Sequence, residues 1–170
     1  MTAAIATQIP GLTLRFAAAA DAELILALVR ELAEYERLSH EVVADAAMLR
    51  EVLFGARPAA EVVIAEYEGK PAGFALFFTN FSTFVGRPGI YLEDLFVRPA
   101  FRRKGIGETL LAWLAALAEE RGYGRLEWAV LDWNEPAIGF YKQLGAKPMD
   151  DWTVFRVSGP ALAALARRHR

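Results

Sequence analysis

The chain alternates between two kinds of apolar spacing. In "LTLRF" (Leu12–Phe16) apolar residues stand two apart, the period of a half-buried strand. Asp21 can then cap a helix that carries Leu24, Ile25, Leu28, Val29 and Leu32 on one face. Asp45 can cap a shorter helix with Met48, Leu49 and Val52 inward. "EVVIAEY" (Glu61–Tyr67) and "AGFALFFTNF" read as strands paired across the turn "EGKP". "IYLEDLFV" (Ile90–Val97) is the next strand, stopped by Pro99. From Gly105 to Arg121 a helix runs on Ile106, Leu110, Leu111, Leu114 and Leu117, and "GYG" ends it. "RLEWAVL" (Arg125–Leu131) is a strand. Glu135–Leu144 is a helix with Pro136 in its first turn and Gly145 past its end. "WTVFRV" (Trp152–Val157) reads as a last strand, and Ser158 and Pro160 open a terminal helix.

That order predicts an α+β (α/β layered) domain with a mixed central β-sheet and helices on both faces. A helix separates Ile90–Val97 from Arg125–Leu131, so those two strands should be parallel with a right-handed crossover. The earlier strands should form antiparallel hairpins. The 170 residues fit one domain, with its core from about residue 12 to 157.

Composition narrows the functional classes. Nineteen Lys plus Arg stand against 21 Asp plus Glu, which gives no basic face for nucleic acid. There is no cysteine, so disulfides and thiolate chemistry are excluded. The opening "MTAAIATQIP" lacks the basic region of a signal peptide, and runs such as "AGFALFF" are too short to span a bilayer. A soluble cytoplasmic protein without nucleic-acid or membrane partners is expected. His40 and His169 have no Cys or carboxylate at ligand spacing, so no metal site is expected.

"FRRKGIG" (Phe101–Gly107) lies between a strand end and a helix start. There backbone N–H groups lack partners and the helix dipole favours an anion. Gly105 and Gly107 let a ligand approach the backbone, and Arg102, Arg103 and Lys104 add positive charge. The reading is a pyrophosphate cradle; the plainer one is a solvated basic loop at a tight turn. The Gly-Lys-Ser/Thr of a P-loop is absent, and a dinucleotide fingerprint would need Gly where Leu110 stands, so ATP and NAD fit poorly.

"LEDLFVRPAFRRKGIGETLL" followed by "LDWNEPAIGFYKQLGA" resembles the GNAT superfamily of N-acetyltransferases. Arg102-x-x-Gly105-x-Gly107 matches its acyl-CoA pyrophosphate motif, and Asn134 with Phe140-Tyr141 and Leu144-Gly145-Ala146 matches its second motif. "RELAEYERLS" and "IYLEDLFV" resemble the diamine (spermidine/spermine) acetyltransferases, including their thialysine-acetylating branch, from about Leu14 to Val157. The resemblance implies acetyl-CoA as co-substrate, held by Leu95, Phe96 and Val97, by Arg102, Arg103, Lys104, Gly105, Ile106, Gly107 and Glu108, and by Asn134, Pro136 and Tyr141. It implies that the pantetheine arm pairs with Leu95–Val97 in the splay between two strands. The Leu95 N–H would polarise the thioester carbonyl, and Tyr141 would protonate the leaving thiolate. Read locally, Tyr141 is an aromatic on an apolar helix face and Asn134 a helix cap. Members of the family are dimers, so a homodimer is expected.

The acceptor poses a proton problem. An alkylamine titrates near a pKa of about 10.4, so near neutrality only on the order of one molecule in a thousand is free base, a deficit of roughly 4 kcal/mol. Carboxylates can bind the cation and take its proton, directly or through water. Glu93 and Asp94 are adjacent on a strand, so their side chains should point to opposite faces. The resemblance favours Glu93 for the substrate, with Tyr35 and Glu36 at the end of the first helix. An acid before a Trp maps to Asp150 or its neighbour Asp151, where "PMDDW" departs from the family's longer "EGW"-type pattern. Trp113, Trp128 and Trp152 read as core, and Trp133 could flank the acceptor. The expected activity is direct acetyl transfer to a polyamine, a diamine or a thialysine-like amino acid, without an acyl-enzyme. The rivals are a GNAT enzyme for a protein N-terminus, protein lysine or aminoglycoside, and a non-catalytic CoA-binding domain.

Overall fold

The computed structural model describes residues 3–169. The chain divides after Ala129 into two compact units.

The first unit holds one sheet of six strands whose spatial order follows the chain: β1 (Ile5–Ala6), β2 (Leu12–Phe16), β3 (Glu61–Tyr67), β4 (Lys70–Ser82), β5 (Arg87–Val97) and β6 (Leu126–Trp128). Neighbours from β1 to β5 are antiparallel, and β6 is parallel to β5, as the intervening helix requires. Three helices cover it: α1 (Ala22–Tyr35), α2 (Ala46–Phe54) and α3 (Ile106–Glu120). On one face Ile25, Leu28 and Leu32 of α1 and Leu53 of α2 pack on Val62, Ile64, Phe74 and Phe96. On the other face Trp113 of α3 meets Phe16 and Phe77 edge-on, with centroids 5.4 and 6.1 Å apart. The sheet is thus mixed and covered on both sides, an α+β layered arrangement.

Two local readings need correction. Asp21 does not cap α1. Its carboxylate accepts from the Ala18 amide and pairs with Arg15, which holds its pKa below the usual range. Met48 and Val52 of α2 point outward, at 54% and 50% exposure. The inward stripe is Ala46, Leu49 and Leu53. Two apolar stripes overlap at Leu49, and the cap from Asp45 Oδ1 to the Met48 amide (2.8 Å) does not distinguish them; packing on α1 does.

The β4–β5 ladder contains a bulge. Leu76 opposes Asp94 and Phe77 opposes Leu92, so Glu93 is an extra residue. Leu76 packs on the α1 side, whereas Phe77 meets Trp113 on the α3 side. Counting from either end puts Glu93 and Asp94 on the α1 face together. The expectation of opposite faces fails because alternation holds only in a regular strand.

The second unit carries α4 (Glu135–Gln143) and α5 (Gly159–Ala166). The strand expected over Trp152–Val157 is absent, and β6 stops at Trp128 rather than Leu131. A strand is held by its ladder, and residues 152–157 enter none; Val154 and Phe155 are about nine-tenths exposed. Trp152, expected in the core, is likewise exposed.

Candidate active site

The site grows from β5. Parallel pairing with β6 covers Ile90, Tyr91 and Leu92 and then ends, level with the bulge. Beyond it β5 is paired only with β4. The Arg98 amide donates to the Ala72 carbonyl, at 2.9 Å. Ladder alternation then turns the backbone of Phe96 and Asp94 to β4, and that of Leu95 and Val97 to the open edge. The Val97 carbonyl accepts from Arg102 Nε at 2.9 Å. Phe96, between them, buries its ring in the core. Beyond the end of β6 the first unit therefore presents a strand edge on β5, with Leu95 and Val97 turned outward.

At the end of that edge Arg102, Arg103, Lys104 and Gly105 lead into α3. Gly105 is its N-cap at φ 77°, a left-handed conformation that suits Gly. No side chain caps α3, so the amides of Ile106, Gly107 and Glu108 have no acceptor in the helix. The α3 start lies on the α3-side face of β5: a Cβ on Gly107 would stand 3.9 Å from Leu95 Cδ2 and Val97 Cγ2. The basic side chains are placed unequally. The Arg102 guanidinium lies over Tyr35 and Phe96, 4.8 and 5.7 Å from the ring centroids, and so ties the end of α1 to the end of β5. Lys104 Nζ lies 4.9 Å over the Tyr67 ring. Arg103 is exposed at φ 61°. Bare first-turn amides, a positive rim and glycines fit a pyrophosphate.

On the α1 face of β5 three carboxylates gather. Asp94 is half-buried, and its pKa is pushed up from 3.8 to about 6, by desolvation first and then by the charges of Glu93 and Glu36. Glu36, at the C-cap of α1, is raised by burial. Glu93 is exposed. The structure thus brings Glu36 and Glu93 together and adds Asp94, which regular strand alternation would have turned to the opposite face. The only signal for it was the paired acids in "YLEDL"; the bulge that turns both to one face left no trace in the pattern. Tyr35, half-exposed, stacks beside this cluster under Arg102.

In the second unit Asn134 Oδ1 accepts from the Ala137 amide at 3.4 Å and caps α4, and Pro136 sits in the first turn. Tyr141 lies in the last turn of α4, its ring 5.6 Å from Phe140. The Tyr141 carbonyl accepts the amides of Leu144 and Ala146, which closes the helix at Gly145. Trp133 is half-exposed; Asp150 and Asp151 are exposed.

Comparison with known proteins agrees with this architecture. The model of the acetyltransferase (GNAT) family matches residues 26–146. The thialysine N-epsilon-acetyltransferase of Bos taurus is 39% identical over 90% of this chain and 96% of its own length. The L-ornithine N5-acetyltransferase of Arabidopsis thaliana is 34% identical over 89% of this chain and 86% of its own. Among solved structures, an integron cassette protein from the mobile metagenome of V. cholerae superposes with a TM-score of 0.78, at 26% identity over 92% of this chain and 98% of that one. The family model spans more than two thirds of the residues, including β5 and the start of α3: the chain belongs to the GNAT acetyltransferase family.

Proposed function

We propose that the chain moves the acetyl group of acetyl-CoA directly to a primary amine of a small cationic acceptor, a polyamine, a diamine or a lysine-like amino acid. The observation that carries this reading is β5 itself. One stretch presents outward-turned backbone at Leu95 and Val97 and, one bulge away, three carboxylates with a perturbed acid among them. The named activities of the relatives, on thialysine and ornithine, support the same class of acceptor.

The pyrophosphate is held by the first-turn amides of α3 and by the rim from Arg102 to Glu108. The pantetheine arm adds to the open edge as a short strand, with Asn134 and Pro136 of α4 as further contacts. The Leu95 N–H donates to the thioester oxygen as negative charge grows there. Glu36 and Glu93 draw the ammonium in, with Tyr35, Trp133 and Asp150 as further acceptor contacts. Asp94, with an acidity nearer neutrality than an ordinary carboxyl, is the better-matched proton acceptor. The freed lone pair forms the new N–C bond, the C–S bond breaks, Tyr141 gives its proton to the departing thiolate, and the second proton lost by the nitrogen returns to the phenol through water. We place this activity in the cytoplasm and in a homodimer. Light scattering should return twice the 18.8 kDa chain mass; a monomer would refute the dimer alone.

Release of CoA thiol with spermidine, putrescine, ornithine, thialysine, lysine and a lysine peptide tests the reading. Turnover on a small amine well above the peptide supports it. Turnover on the peptide alone, or on nothing while acetyl-CoA binds, overturns it. The cradle has its own test. Gly107→Ala meets only ordinary contacts at 3.9 Å in the protein, and Ala favours helix over Gly by up to about 1 kcal/mol. The melting temperature should hold or rise, while the KM for acetyl-CoA rises about tenfold. An unchanged KM removes Gly107 from the cradle.

A further inference from the structure

The α1 face of the sheet is not covered along its whole length. Past the bulge, Phe78 and Asn80 of β4, Tyr91 of β5, and Arg125 and Glu127 at β6 stand half-buried on that face, beyond the α1–α2 cluster. Tyr91 stacks on Phe78 at 5.2 Å. The Tyr91 phenol is raised in pKa by burial and by the charges of Glu93 and Glu127, so this strip is continuous with the acidic cluster.

Its far end carries both signs of charge. Arg125 Nε lies 2.7 Å from Glu127 Oε2, and each side chain is 35% exposed. The contact is not a directed hydrogen bond, since the buried Nε of Arg125 has no hydrogen-bond acceptor. Asn80 Nδ2 holds Glu127 Oε2 at 3.0 Å from the other side. Arg125 crosses β5 at Gly89, where a Cβ would stand 2.9 Å from Arg125 Cγ and 2.8 Å from Asn80 Oδ1. The pair is therefore placed across the strand, along the strip that starts at Glu93.

We infer that Arg125 and Glu127 form a subsite for the α-carboxylate and α-ammonium of a free ω-amino α-amino acid, and so set the acceptor class of the acetyl transfer proposed above, on which this inference rests. Glu127 opposes Tyr91, two residues from Glu93. At about 3.3 Å per residue and about 4.8 Å between strands, Glu93 and Glu127 backbones lie about 8 Å apart. An ω-amino acid of the ornithine or lysine size separates its reacting nitrogen from Cα by four or five bonds, about 5 to 6 Å at about 1.2 Å of advance per bond in a zigzag. Chemistry matches length. The near end of the strip is net negative and suits an ammonium. The far end is a dipolar pair, and the Arg125 fork suits a carboxylate. A polyamine would instead set a second cation against Arg125.

The test compares kcat/KM for lysine and ornithine with that for cadaverine and putrescine, the same amines without the carboxylate. Wild type should prefer the amino acids by at least tenfold. Arg125→Gln should lower kcat/KM for the amino acids at least tenfold, mainly through KM, and raise it for the diamines, since a repelling charge is gone. Arg125→Lys should recover part of the amino-acid rate. A merely structural role would lower both classes alike, and that result overturns the subsite. Wild-type turnover that ignores the carboxylate overturns it while leaving the acetyltransferase reading intact. Turnover on neither class overturns both.

Discussion

Replacing Tyr141 by Phe is expected to lower kcat about a hundredfold near neutral pH, with the KM for acetyl-CoA changed by less than about threefold. Acetyl transfer expels a thiolate, which needs a proton as the C–S bond breaks. A phenol held beside the sulfur can give that proton. Phe keeps the ring and its contact with Phe140, so α4 should remain folded and the effect should be chemical. Unchanged turnover, or loss confined to KM, would remove Tyr141 from the proton path.

Asp94→Asn should have two large effects of opposite value. The first is on the acceptor. With a pKa of about 6, Asp94 is charged at pH 8 and neutral at pH 5. Activity that needs the carboxylate is therefore present above pH 6 and lost as pH falls through it. In the variant this acidic limb should disappear, and kcat/KM for the amine at pH 8 should drop by about a hundredfold, the scale of removing a general base. The second effect is on stability. The folded protein holds this proton more tightly than the unfolded chain, whose Asp titrates at 3.8. The native state is thus favoured at low pH and loses that advantage as pH rises through about 6. Up to about 3 kcal/mol is involved, less after solvent screening of a half-buried group, and Asn does not ionise, so the variant should be more stable by about 2 kcal/mol at pH 8 and by well under about 1 kcal/mol at pH 4. Denaturant melts at the two pH values measure it. A variant destabilised at pH 8 would mean that Asp94 is a structural acid.

What the sequence disclosed depended on the range of the interaction involved. The α3 stripe of Ile106, Leu110, Leu111 and Leu114 was read correctly because 3.6-residue spacing is a property of one segment. The parallel β5–β6 pair followed from the helix between them. The inward face of α2 was misread because Leu49 belongs to two stripes, and only packing against α1 selects one. The last strand was misread because "WTVFRV" has strand composition, whereas a strand also needs a partner. β1 was missed because two residues carry no period. At the site, the cradle was legible through glycine and basic residues in one short run. The gathering of Glu36, Glu93 and Asp94 was not, because it depends on one inserted residue in β5 and on where α1 ends.

That insertion has a consequence for how such a site could arise. Leu92 and Asp94 would alternate regularly if Glu93 were missing, and each residue beyond it would keep the face it has now. The sheet therefore has no need of Glu93. A chain shortened by that one residue retains a complete inward pattern, at the loss of the acid pair. The acid pair, and not the open edge, is thus the product of a single codon-sized difference in an otherwise ordinary sheet, removable without disturbing the backbone that Leu95 and Val97 turn outward.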